Sequence, residues 1–557
     1  MVKIKRFLCV VAAVSLICLV PGCNKSNTGD EAGKKDSTNT DSSQPTQQDK
    51  LEPYTFTHYF NYEWWGLKPW GDDLVSKALK EKFNVHVEFS KPDADAQAKL
   101  NVMISSEDLP DSIMMDRGVD NIRLAKLGLL MPLEPYMKNN PNYEQNVLET
   151  TREMLKIDGK LYGIPNWSRK AASGGNDVWI YNDRLYKQAG SPKLETFEDL
   201  YNYAMKIKKE IPKNKEGLPT IPVIFDHTTD GYKIAQAFYR SFGGVLNSWY
   251  TVVDGKYQIA FRDPVFKKAC MEANRWWRAG LFSETQFTDS PEQILEKIVA
   301  GRTALLYYDN SKDESNKFRR ILRETFPDDS YEIVQPFPYP PADGLPTSKI
   351  YADYQSTVGW NVTCITKKAK NPQRIFDLWT YLLTREAAIL QMYGPKGELW
   401  DTLNEKGIPV LKKSESELTT QEINRLGLWF WMIPGQSDNV DSIKFAVNDM
   451  QPKDKRNWVA SNQANIITPI MWLTDEFVGI GEIIDPNSNE GIQRTLCEDY
   501  IKAQLPQMIM AKTESEAERI YNSIISFLDK NGMPKIEELY NNKYKENVSK
   551  VGTGLNK

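Results

Sequence analysis

The residues best able to do chemistry in this chain are aromatic: 15 tryptophans and 26 tyrosines, many set in loops beside Asp, Asn or Arg. A flat ring offers an apolar face to the C–H side of a sugar, while carboxylates, amides and guanidinium groups at its edge read the hydroxyls. Six candidate clusters supply such groups: Trp64 with Trp65, Asp116 with Arg117, Asn166 and Trp167 with Arg169, Tyr308 with Asp309, Trp360 with Asn361, and Trp429 with Trp431. Trp276, Trp277 and Trp379 lie within amphipathic helical patterns and are expected to pack in a core.

Catalytic constellations are missing. The chain has three histidines, His58, His86 and His227, and no His-Glu-x-x-His, Gly-x-Ser-x-Gly or phosphate-loop motif. Scattered carboxylates could still serve a glycosidase, because the separation that matters there is spatial; the expectation is that the chain is not an enzyme. No metal or cofactor is expected either. Asp485–Gly491 resembles a calcium loop, but Gly491 is one position late and Leu496 stands where a bidentate Glu is required. Residues 212–217, with two lysines, are too poor in carboxylates.

The elements that must position these side chains begin after a targeting segment. Met1 to Arg6 is basic, residues 7–20 are apolar, and Pro21-Gly22-Cys23 follows, the pattern of a secretory signal covering residues 1–22. Val20-Pro21-Gly22-Cys23 resembles a lipobox, which implies a diacylglyceryl group on Cys23. Residues 23–50 carry almost no apolar side chains and read as a tether. Cys9 and Cys18 leave with the signal, so Cys270, Cys364 and Cys497 remain as an odd set of buried thiols. A net charge of −4 gives no footprint for nucleic acid.

From Tyr54 onward, apolar runs and amphipathic stretches alternate. Strands are expected at 54–60, 85–89, 111–115, 178–181, 302–308 and 358–365. Helices are expected at 72–83, 94–105, 266–279 and 372–390, with a largely helical end that includes 498–510 and 514–528. This order predicts an α/β fold, and some 500 residues exceed what one core usually holds.

Several segments resemble the family 1 extracellular solute-binding proteins of ABC importers, in particular the lipoprotein subgroup associated with complex-sugar uptake. They are Leu109 to Ile113, Gly128 to Leu133, Asp158 to Pro165, Gly301 to Leu305, and Gly532 to Ile536 with Tyr540-Asn541. The most specific is Val178-Trp179-Ile180-Tyr181-Asn182-Asp183, similar to the family's Tyr-Asn signature. The resemblance implies a two-lobed, periplasmic-binding-protein-like fold whose interlobe cleft closes on ligand about a hinge. The expected lobes are residues 51–165 plus 346–394 and residues 166–345 plus 395–557, with crossings near Pro165, Leu345 and Gly394. It also implies a monomer on the outer face of the cytoplasmic membrane, held by its lipid and delivering a small molecule, an oligosaccharide, to a permease. The alternatives are the same scaffold loaded with a peptide or other solute, a surface-anchored glycosidase, or a sensory co-receptor.

Overall fold

The computed structural model describes residues 51–172, 177–309, 313–352 and 354–554. The signal, the tether and Cys23 lie outside the described residues. None of the described helices is long and apolar enough to cross a membrane.

Two sheets organise the chain. The first has the strand order Val85–Ser90, Tyr54–Phe60, Ser112–Asp116, Asn361–Ile365, Gly163–Asn166. The first three run parallel, and Asn361–Ile365 is antiparallel to both of its neighbours. Ser112, Ile113, Met114 and Met115 are all buried, as expected of a central strand covered on both faces. The second sheet has the order Tyr331–Ile333, Asp177–Asn182, Thr303–Asp309, Ile221–Phe225.

Each sheet carries its own core. Around the first lie Phe56, Val75, Leu79, Ile113, Met114, Ile164, Val362 and Trp379. Around the second, Trp179, Phe197, Phe225, Phe238, Trp276 and Tyr307 interlock by edge and stacked ring contacts. Trp276 and Trp379 are fully buried, and Trp277 packs at the edge of the second core, as their helical positions predicted. Cys270, Cys364 and Cys497 are buried free thiols.

The Tyr-Asn signature has a mechanical role here. Asn182 caps the helix Asp183–Gln188 by accepting from the Leu185 N–H at 2.9 Å, and its amide donates to buried Asp329. That capping fixes the turn from strand to helix.

The lobe boundary differs from the expected one. The chain does not leave the first lobe at Gly394, which terminates the helix Arg385–Tyr393. Residues 395–450, expected in the second lobe, pack with the first. The helix Ser437–Met450 buries Val440, Ile443 and Val447 against Ile389, Met392 and Tyr393, and Trp431 and Ile433 enter the first core. An amphipathic helix settles against the nearest unfilled apolar face, and here that face belongs to the preceding helix. The second core takes its C-terminal residues from Ile467 onward. Where the lobes meet, Tyr354–Gln355 pairs in parallel with Trp472–Leu473, and the Thr357 N–H donates to the Asp475 carboxylate at 2.7 Å.

Burial also gives the first lobe a pH response. His58 is wholly enclosed, with Nδ1 3.0 Å from Ser112 Oγ and its ring against Phe60 and Trp379. Desolvation pushes its pKa down to about 3. The folded protein therefore keeps His58 neutral while the unfolded chain takes up a proton near pH 6.5, so its contribution is present above that pH and is lost as pH falls toward 3. By about pH 4.5 the loss amounts to about 3 kcal/mol. Urea unfolding from pH 7 down to 4.5 is expected to show a shallower loss of stability in His58→Gln than in wild type.

Candidate functional site

The C-terminal end of the first sheet gathers the aromatic loop, the Asp-Arg pair and the Trp-Asn pair into one place. Side chains two apart on a strand share a face, so the series His58, Phe60 and Tyr62 runs alongside Ser112, Met114 and Asp116. His58 pairs with Ser112 and Phe60 with Met114, and the Tyr62 hydroxyl, next in the series, donates to Asp116 Oδ1 at 2.8 Å. In the neighbouring strands Asn361 pairs with both Asp116 and Asn166. Tyr62, Asp116, Asn361 and Asn166 thus form one polar row across the sheet end.

Tryptophans stand over this row. Trp64 and Trp360 stack at 6.3 Å with 28° between their planes; Tyr62 lies 5.1 Å from Trp64 and 5.5 Å from Trp360, and Trp65 lies 5.4 Å from Trp64. Trp65 is itself braced by a 4.8 Å stack on Phe60. Trp64 is 66% exposed and Trp360 41%, far above what apolar rings of this size show in a core. The Arg117 N–H donates to the Trp360 carbonyl at 3.2 Å, tying the charged pair to the rings. The turn that presents Trp360 depends on Gly359, whose φ is +68° and where a Cβ would sit 1.9 Å from the Asn166 carbonyl oxygen.

The polar row is poised for hydrogen bonding. Burial, and secondarily the Asp116 charge, push the Tyr62 hydroxyl far above its ordinary pKa, so it remains a donor. Asn361 lies beside that hydroxyl, and its side chain opposes the rise. Asn166 Nδ2 donates to the Met432 carbonyl at 3.2 Å, while its Oδ1 has no hydrogen-bond partner among the described residues.

Of the sequence-predicted residues, Trp64, Trp65, Asp116, Arg117, Trp360 and Asn361 come together. Trp167 and Arg169 continue from Asn166 along the crossing between lobes. Trp167 has φ +58°, a conformation costly for a bulky residue and held by its N–H to Gly435 O at 2.7 Å and by Ser437 Oγ to its carbonyl. Its ring and that of Trp429 both pack against the satellite core around Met392 and Val440, away from the Trp64 group. Arg169 is largely buried, and desolvation lowers its pKa against the opposing pull of Asp441 and Asp438.

Trp431, expected to contact ligand, is instead core. It is 1% exposed and its indole N–H donates to the Asp73 carboxylate at 2.9 Å, so no face is left for a solute. On the second sheet, Tyr308 is buried edge-on to Phe318. Asp309 closes its strand opposite Asp177, its side chain lying outside the described residues. Beside them the Lys233 ammonium pairs with the Asp177 carboxylate, and Arg240 donates to Tyr307 Oη at 2.7 Å and to the Asp177 carbonyl.

Sequence reasoning passed over Tyr62 and Glu482. Tyr62 could have been found from strand parity, two residues beyond Phe60. Glu482, which meets Arg117 at 3.3 Å across 365 positions, left no local signal.

The comparisons agree with this architecture. A curated relative, the fructooligosaccharide ABC transporter substrate-binding protein FusA of Streptococcus pneumoniae, is 26% identical over 231 residues, 39% of this chain; the chain spans 42% of the length of that relative. The solved structure of FusA in complex with kestose superposes with a TM-score of 0.64 at 16% identity, covering 88% of this chain and 99% of that one. A human-milk-oligosaccharide (HMO) binding, ABC-transporter-associated protein from Bifidobacterium longum infantis superposes at 0.66 with 14% identity, covering 88% and 99%. These likenesses fix the two-lobed fold. The family model for bacterial extracellular solute-binding proteins matches residues 75–398, more than half of the chain, and the chain belongs to that family.

Proposed function

We propose that this protein captures an oligosaccharide on the Trp64–Trp360 platform and delivers it to the permease of an ABC importer, performing no bond chemistry itself. The observation that carries this reading is two exposed, mutually stacked indoles set over a row of hydroxyl, carboxylate and amide groups, with Arg117 at the edge. Exposed rings of this kind lose ordering water when covered by the C–H face of a sugar, and the polar row supplies directional contacts. Trp65, Asn361 and Asn166 support the platform. The sugar-binding relatives support the same reading.

A thermal-shift screen of residues 51–557 against an oligosaccharide panel that includes kestose tests it. At a concentration about 100 times the dissociation constant, a bound ligand stabilises the protein by about 2.7 kcal/mol. If no member of a broad neutral and acidic panel raises the melting temperature, the platform does not serve sugars.

We further propose that Cys23 carries the lipid that holds the protein to the outer face of the membrane. Each buried methylene of an acyl chain contributes about 0.8 kcal/mol, so two chains anchor durably. Cys23→Ser is expected to move the protein to the soluble fraction; retention in carbonate-washed membranes would place the attachment elsewhere.

A further inference from the structure

The lobes touch beside the platform where two cavities share lining residues. Arg117, on the first lobe, and Val478, Gly479 and Glu482, on the segment leading into the C-terminal helices, line a cavity of about 340 Å3 on one side and another of about 780 Å3 on the other. Val478 packs into the first core, and the Tyr354–Gln355 pairing with Trp472–Leu473 and the Thr357 bond to Asp475 lie close by; between the two open volumes, specific polar interactions add to that packing in deciding whether the contact persists.

One of those interactions is an ion pair. Arg117 Nη1 lies 3.3 Å from Glu482 Oε1, each side chain being 19% exposed. Each partner is fastened to a different lobe. Arg117 follows the central Ser112–Asp116 strand and bonds the Trp360 carbonyl. On the other side, Arg494 donates to both the Gly481 carbonyl and the Tyr540 hydroxyl, each at 2.9 Å, and Tyr540 is part of the second core. Asn547 of the last helix donates to the carbonyls of Glu476 and Val478. The Glu482 chain also lies directly on Gly118, where φ is +138° and a Cβ would come within 2.6 Å of Glu482 Cγ. The residue beside Arg117 is thus one whose lack of a side chain makes room for the carboxylate.

We propose that Arg117 and Glu482 form an interlobe latch that favours the arrangement of lobes seen here before any ligand arrives, with Glu482 acting as a positioning residue that also holds Arg117 at the edge of the platform. The pair spans the two bodies whose separation opens the site, so its electrostatic attraction biases that equilibrium directly.

Small-angle scattering of the ligand-free protein tests this without reference to any sugar, and so independently of the proposed ligand. Glu482→Gln keeps size and polarity while removing the charge; it is expected to enlarge the radius of gyration relative to wild type, with an unchanged circular dichroism spectrum. Arg117→Met breaks the pair from the other side and is expected to give the same enlargement. Arg117→Glu combined with Glu482→Arg restores the pair with its charges exchanged and is expected to return the radius toward the wild-type value, which a merely structural role would not do. Single variants whose scattering superimposes on wild type, or an exchanged pair that stays as expanded as the single variants, would overturn the latch.

Discussion

Trp360→Ala and Trp64→Ala are each expected to weaken binding of the sugar identified by the thermal-shift screen by about tenfold to a hundredfold, while leaving the fold intact. Both rings are exposed, so truncation removes little that the folded protein uses for stability, and exposed substitutions of this sort typically change stability by no more than about 0.5 kcal/mol. In the complex the same rings become buried anchors. Losing such an anchor costs about 1.4 to 2.8 kcal/mol, which is the stated range in affinity. Because the indoles stack on each other, the two losses should not add, and the double variant is expected to fall short of the sum of the singles. Calorimetry on the two variants and their double, with circular dichroism as the control for folding, decides it. Wild-type affinity in both single variants would mean that the platform is a packing device and that the ligand sits elsewhere.

The opposite behaviour is expected of Trp431→Ala. This ring lies in the first core, in edge contact with Trp70 at 5.1 Å and against Phe89 and Phe430, and its N–H satisfies Asp73. Truncation leaves a cavity and removes the indole donor from a buried carboxylate that still caps the helix Leu74–Phe83. The combined cost is about 3 to 5 kcal/mol. Urea denaturation should show a correspondingly lower midpoint, while the affinity of the remaining folded molecules stays near that of wild type. The contrast between Trp431 and Trp360, two residues drawn from the same kind of sequence neighbourhood, separates core from site experimentally. A stable Trp431→Ala protein with lost binding would reverse the assignment.

The alternation of apolar strands and amphipathic helices was readable because burial imposes a period of 2 on strands and 3.6 on helices. The strands expected at 54–60, 85–89, 111–115, 178–181 and 302–308 are present with ends displaced by a residue or so, and Asp73, Asn182 and Thr513 cap their helices as local hydrogen-bonding chemistry dictates. The helix expected over 372–390 is two helices, Pro372–Tyr381 and Arg385–Tyr393, because Thr384 caps the second and interrupts the first. The strand expected from 358 begins at Asn361, Gly359 being given over to the turn that presents Trp360.

What the sequence determined by itself were quantities local to the chain: strand and helix periods, caps, the composition of the aromatic clusters, and the family to which they belong. The tertiary structure alone decided which clusters meet. Trp64 and Trp360 are 296 positions apart and stack only because the Asn361–Ile365 strand inserts beside Ser112–Asp116. Trp431 resembles them in its neighbours along the chain, yet it is core because its segment folds back on the first lobe. The third passage between lobes, the Glu482 contact with Arg117 and the placing of Asn361 beside Tyr62 have the same origin. Each depends on strand register and on which apolar face a helix finds vacant, and both follow from the packing of the whole chain, which no local window of sequence contains.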